Sequence, residues 1–120
     1  MSDVFVIVFP LWLHAFLLTL VIEVPVFVLV WRFGRSLRRP LWRIAAAGAA
    51  GTVLTHPLLW FVWPRVVTDY NMYVLTGEVI VAVVESFTFF ALARPITLRR
   101  AIAASLLANG ASYGIGVLVQ

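Results

Sequence analysis

Four apolar runs divide the chain, and each is long enough to cross a bilayer. They cover Val4–Trp31, Ile44–Trp63, Met72–Ala93 and Ala101–Val119. A spanning helix needs about 20 such residues to cover a hydrocarbon core about 30 Å thick. Hydrocarbon offers no partner to a free backbone amide, so only helices or closed β-barrels cross it. Barrel strands alternate apolar and polar residues, and these runs do not. The expected fold class is therefore all-α: a polytopic membrane protein, a four-transmembrane-helix bundle forming a single domain over residues 1–120. Composition closes the soluble alternative. The 120 residues are 63% hydrophobic and 12% charged, where a soluble domain carries about 25% charged residues. A globule of this size exposes too much of its surface to hide so much apolar area.

The first run follows Asp3 rather than a basic segment, and it exceeds a signal-peptide core in length, so it is expected to stay as a span. As one helix it would run about 42 Å, and tilt, or kinks at Pro10 and Pro25, would absorb the excess. Cysteine is absent, which removes disulfides, thiolate metal sites and cysteine nucleophiles. The nine basic residues are all arginine and sit at the ends of apolar runs. That placement serves topology and leaves no nucleic-acid-binding surface, although the net charge is +4.

Orientation follows from those arginines. Arg32, Arg35, Arg38, Arg39 and Arg43 lie between the first and second runs, and Arg94, Arg99 and Arg100 between the third and fourth. The remaining loop holds Arg65 alone, beside Asp69. Positive loops stay in the cytoplasm, so both termini are expected outside. Trp31 and Trp42 would mark the inner interface, and Trp60, Trp63, Tyr70 and Tyr73 the outer one. The all-arginine basic set goes with a GC-rich prokaryotic genome, and the expected location is a prokaryotic cytoplasmic (inner) membrane. The basic loop is read as a topology signal that also suits anionic lipid.

The halves of the chain echo each other. Glu23 to Arg32 and Glu85 to Arg94 share the form E-x8-R, and Leu41-Trp-Arg-Ile-Ala-Ala-Ala-Gly48 aligns with Leu98-Arg-Arg-Ala-Ile-Ala-Ala-Ser105. That register sets Thr52 against Asn109, Thr55 against Ser112 and His56 against Tyr113. Both hairpins would run outside–inside–outside, as a parallel repeat does.

Within the spans lie residues that hydrocarbon excludes. An ionised acid at a helix centre costs about 2.5–3.5 kcal/mol, so Glu23, Glu78, Glu85 and His56 must face the bundle interior, be neutral or be paired. At about 100° per residue, Trp12, Phe16, Thr19 and Glu23 form one stripe, with His14 on the opposite side. Gly48, Thr52, Thr55 and His56 form a second, Glu78 and Glu85 a third, and Ala101, Ser105, Asn109, Ser112 and Gly116 a fourth. Gly110/Gly114 and Ala47/Gly51 have the spacing of close helix packing. Pro25 and Pro57 free the carbonyls of Val21 and Val53, which are either cation ligands or simple kinks.

Glu23, Glu85, Glu78, His56 and Asn109 are thus the candidate cation- or proton-binding residues, with Thr19, Thr52, Thr55, Ser105 and Ser112 as supporting polar groups. The competing reading makes them interhelical hydrogen-bond glue at about 1 kcal/mol each. Carboxylate with imidazole also suits a divalent metal, but a single His inside the polar stripes gives no diagnostic spacing, so metal binding stays open. No cofactor is called for, and no nucleophile–base pair or phosphate cradle supports an enzyme. The expected function is a small transporter or channel for a cation or protons. The alternative is an accessory subunit of a larger membrane complex without transport of its own. Expected partners are the lipid bilayer, a small cation or proton, and a second copy or another membrane protein.

Overall fold

The computed structural model describes residues 2–33, 40–94 and 96–119. The chain is all-helical: α1 (Ser2–Phe33), α2 (Leu41–Pro57), a π-helical turn (Leu58–Val62), α3 (Trp63–Val66), α4 (Tyr70–Leu92) and α5 (Leu98–Val119). The π turn joins α2 to α3, so the chain presents four helical rods apolar and long enough to span a membrane. They form a four-helix bundle about 49 Å long, which exceeds the about 30 Å hydrocarbon core and reaches the headgroups at both ends. Each helical rod begins two or three residues before the apolar run that announced it. Arg35, Arg38 and Arg39 of the basic loop, and Pro95, lie outside the described residues.

Local chemistry sets the helix starts. The Asp69 carboxylate accepts from the Asn71 amide at 3.1 Å and caps α4. The Thr97 hydroxyl accepts from the Arg100 amide at 3.2 Å and does the same for α5. Pro57 and Pro64 shape the segment between α2 and α4. The Trp63 amide reaches back five residues to the Leu58 carbonyl. The next donor in that pattern would be Pro64, which has no N–H. The Leu59 carbonyl is thereby left free, and the Tyr73 hydroxyl of α4 donates to it at 2.7 Å. One turn further along α4, Thr76 accepts from the Trp63 indole N–H at 3.1 Å.

The rods pack in the cyclic order α1, α2, α4, α5 and back to α1. Glu23 on α1 and Glu85 on α4 therefore come from diagonally opposed helices. Leucine, valine and phenylalanine side chains such as Val21, Leu54, Val79, Phe87 and Leu106 are exposed on the outside, as a lipid-facing surface requires. The apolar core fills the end that bears Arg32, Arg43 and Arg94. Phe27, Phe89 and Ile44 are fully buried there, with Ala47, Ala93, Ala101, Ala104 and Ala108 around them. The Phe27 and Phe89 rings meet with centroids 4.6 Å apart, and the Trp31 indole donates to the Ala93 carbonyl at 3.2 Å.

Two expectations need correction. Gly110 and Gly114 have no neighbour within 4 Å of where a Cβ would stand, so that pair packs no helix of this bundle and faces away from the core. Pro10 and Pro25 both lie inside one continuous α1. Pro25 and Val21 are both exposed, so the carbonyl freed by Pro25 lies on the outer face, away from Glu23. Ala47 and Gly51, in contrast, are buried at the helix contact.

Candidate functional site

The site is a carboxyl pair on the bundle axis. Glu23 and Glu85 are each 1% exposed. The Glu23 Oε1 accepts from the Thr52 hydroxyl of α2 at 3.0 Å, and its Oε2 from the Ser112 hydroxyl of α5 at 2.6 Å. The Glu85 Oε2 takes a long contact of 3.4 Å from the Asn109 amide of α5. That amide is held by the Ser105 carbonyl at 2.8 Å. The Glu85 Oε1 is buried and accepts no hydrogen bond from the described residues. The two carboxyls lie within hydrogen-bonding reach of each other. Carboxylates only accept, so this contact becomes a hydrogen bond when one of them holds a proton.

All four rods contribute, and the reason is local. Gly51 lets α2 approach α4 so closely that a Cβ there would meet the Glu85 Cγ at 2.9 Å. Gly48 does the same against Phe27, at 2.9 Å from its Cβ. Ser105 ties α5 to α4 by donating to the Ala82 carbonyl at 2.8 Å. Thr55 is buried but donates to the Gly51 carbonyl of its own helix at 2.9 Å, so it supports α2 rather than the pair.

His56 forms a second station, one helical turn from Thr52 toward the end bearing the chain termini. Its Nε2 lies 3.4 Å from the Thr19 hydroxyl oxygen. The single Thr19 hydroxyl proton is committed to the Ala15 carbonyl at 2.8 Å. The tautomer with its proton on Nε2 completes this contact and leaves Nδ1 as an acceptor. Among the described residues Nδ1 is buried without a partner, and so is the indole N–H of Trp12. Phe16 and Trp12 tilt against the imidazole at centroid distances of 5.5 and 6.3 Å, and Trp60 stacks on it at 6.2 Å. Trp60 also lines an open cleft of about 360 Å³ with Pro64, Val67, Thr68, Tyr70 and Tyr73.

Glu78 stands apart from both stations. It is half-buried and makes no hydrogen bond to the described residues, though it is near enough to Glu23 for their charges to interact. Among the described residues no group of three or more His, Asp and Glu side chains is placed to hold a metal ion. The ten expected site residues are thus distributed. Glu23, Glu85, Thr52, Ser112, Asn109 and Ser105 form one network, Thr19 and His56 a second, and Thr55 and Glu78 stand outside both.

Sequence reasoning did not single out the Phe27–Phe89 contact that closes the bundle beside the carboxyls. A signal existed, since each Phe follows its Glu by four residues at matching places in the E-x8-R segments. The aromatic enclosure of His56 was half legible. Trp12 and Phe16 share the Glu23 stripe, but the sequence marks Trp60 only as an interface residue, and the π turn beside it has no sequence signature beyond two prolines. Set against known protein families, curated proteins and solved structures, the chain matches none of them.

Proposed function

We propose that the protein is a small transporter or channel that carries protons or a small cation through the Glu23–Glu85 pair. The observation that carries this reading is the meeting of two carboxyls on the bundle axis with one oxygen, Glu85 Oε1, left without a partner. Two carboxylates only accept, so the pair can close only around a shared proton or a cation, which gives it a bound species to exchange. The ligands at the pair are carboxyl, hydroxyl and amide groups, a hard oxygen-rich set suited to a proton or alkali ion.

The bundle is asymmetric along its length in the way a pathway needs. Apolar side chains close the arginine-bearing end, while polar groups and the cleft lead away toward the end bearing the termini. The positive-inside rule makes the closed end cytoplasmic. Duplication of one hairpin supplies a rationale for the pair. Glu23 with Thr52 and Glu85 with Asn109 occupy matching positions in the two halves, and Phe27 and Phe89 do likewise, which supports a two-fold axis along the membrane normal.

Flux measured in proteoliposomes tests the proposal. Glu23→Gln and Glu85→Gln keep the shape of the side chain and remove its ionisable proton, so each is expected to abolish flux while the bundle stays folded. Wild-type vesicles that pass neither protons nor alkali or divalent cations would overturn the proposal and leave the accessory-subunit reading.

A further inference from the structure

We propose that His56 is the relay by which protons pass between the cleft at Trp60 and the Glu23–Glu85 pair. This rests on the transport reading above and narrows its cargo to protons.

Four observations converge on the imidazole. It is buried, yet its stacking partner Trp60 is also a wall of the open cleft. Its two nitrogens are in unlike settings, with Nε2 on Thr19 and Nδ1 without a partner. A relay needs that asymmetry, one nitrogen to receive and one to deliver. The Trp12 indole N–H is a buried donor without an acceptor, and it belongs to the ring 6.3 Å from the imidazole. A single water accepting from Trp12 and donating to Nδ1 would satisfy both. Finally, the delivering side points the right way along the bundle. Thr19 is one turn from Glu23 on α1, and Thr52, which donates to Glu23, is one turn from His56 on α2.

The transfer balances. A hydronium that reaches Nδ1 from the cleft gives up a proton and is left as water, and the ring becomes an imidazolium. Thr19 then turns its hydroxyl from the Ala15 carbonyl toward Glu23, releases that proton and takes the Nε2 proton in its place. The released proton crosses one helical turn, about 6 Å, through one water to the Glu23 carboxylate. The ring is then neutral with its proton on Nδ1, and rotation of the ring or return of a proton by the reverse route restores the starting tautomer. An alkali ion cannot follow this path, because neutral imidazole transfers protons and is a poor ligand for such ions.

Proton and potassium flux in proteoliposomes distinguish the outcomes. The relay predicts proton flux in the wild type and a fall of at least about tenfold in His56→Gln, a side chain that hydrogen-bonds but does not shuttle protons. It also predicts the same loss in His56→Ala, with flux restored by imidazole added to the buffer. Undiminished proton flux in His56→Gln would overturn the relay and leave the carboxyl pair in place. So would a folded His56→Ala variant that imidazole does not rescue, because the histidine would then be structural. Potassium flux without proton flux in the wild type would overturn the relay alone. No wild-type flux of any ion would overturn the transport reading itself.

Discussion

Single atoms decide how the carboxyl pair is built. Glu85 sits where it does because position 51 lacks a Cβ, and the nearest atom to a Cβ there would be the Glu85 Cγ at 2.9 Å. Gly51→Ala is therefore expected to cost about 1–3 kcal/mol through overpacking, read as a lower midpoint in reversible detergent unfolding. Gly114→Ala is the matched control. Nothing lies within 4 Å of that Cβ position, so stability should be unchanged or slightly raised by the better helix former. Equal losses in both variants would show that the α2–α4 approach is not governed by Gly51. The polar contacts follow similar logic. Thr52, Ser112 and Asn109 are short side chains that reach the axis only because their helices are already close, and longer residues there would displace the carboxyls.

At the scale of helices and turns, the segment from Pro57 to Pro64 departs from α-helical hydrogen bonding and ties α2 to α4. Its geometry follows from a missing donor. Pro64 cannot serve the Leu59 carbonyl, and Tyr73 takes over at 2.7 Å. Tyr73→Phe should then leave a carbonyl unpaired and cost about 1–3 kcal/mol. Pro64→Ala returns an amide to the segment and should recover part of that loss in the double variant. Strictly additive effects in the double-mutant cycle would argue that the two residues are not coupled. The same turn places Trp60 between His56 and the cleft, so disturbing it should also alter access to the imidazole.

At the scale of the whole molecule, the bundle inverts the soluble plan. Carboxyls, hydroxyls and an imidazole occupy its axis, and leucine, valine and phenylalanine cover its surface. Lipid tails are as apolar as that surface, so helix association depends on close packing and interhelical hydrogen bonds. Glu23 alone links three helices, through Thr52 and Ser112. Orientation is checked by single cysteines in the otherwise cysteine-free chain. A thiol at Asn71 is expected to react with an impermeant reagent in intact cells, and one at Ser36 to be shielded. The reverse pattern would place the arginine-bearing end outside.

The four spans, the all-helical class and the inward-facing polar stripes were legible in the residues because they depend on local quantities. Run length, apolar periodicity and the cost of charge in hydrocarbon are all properties of one segment at a time. The tertiary structure decided which stripes meet. Helix order put Glu23 and Glu85 on a diagonal and brought their carboxyls together, while His56 went to a separate aromatic enclosure and Glu78 stayed outside both. Those outcomes depend on close approaches such as Gly51 against Glu85, on the pairing of Phe27 with Phe89, and on a π turn created by one absent N–H. Each is a contact between distant segments, and the relative rotation of two helices is not written in the periodicity of either one.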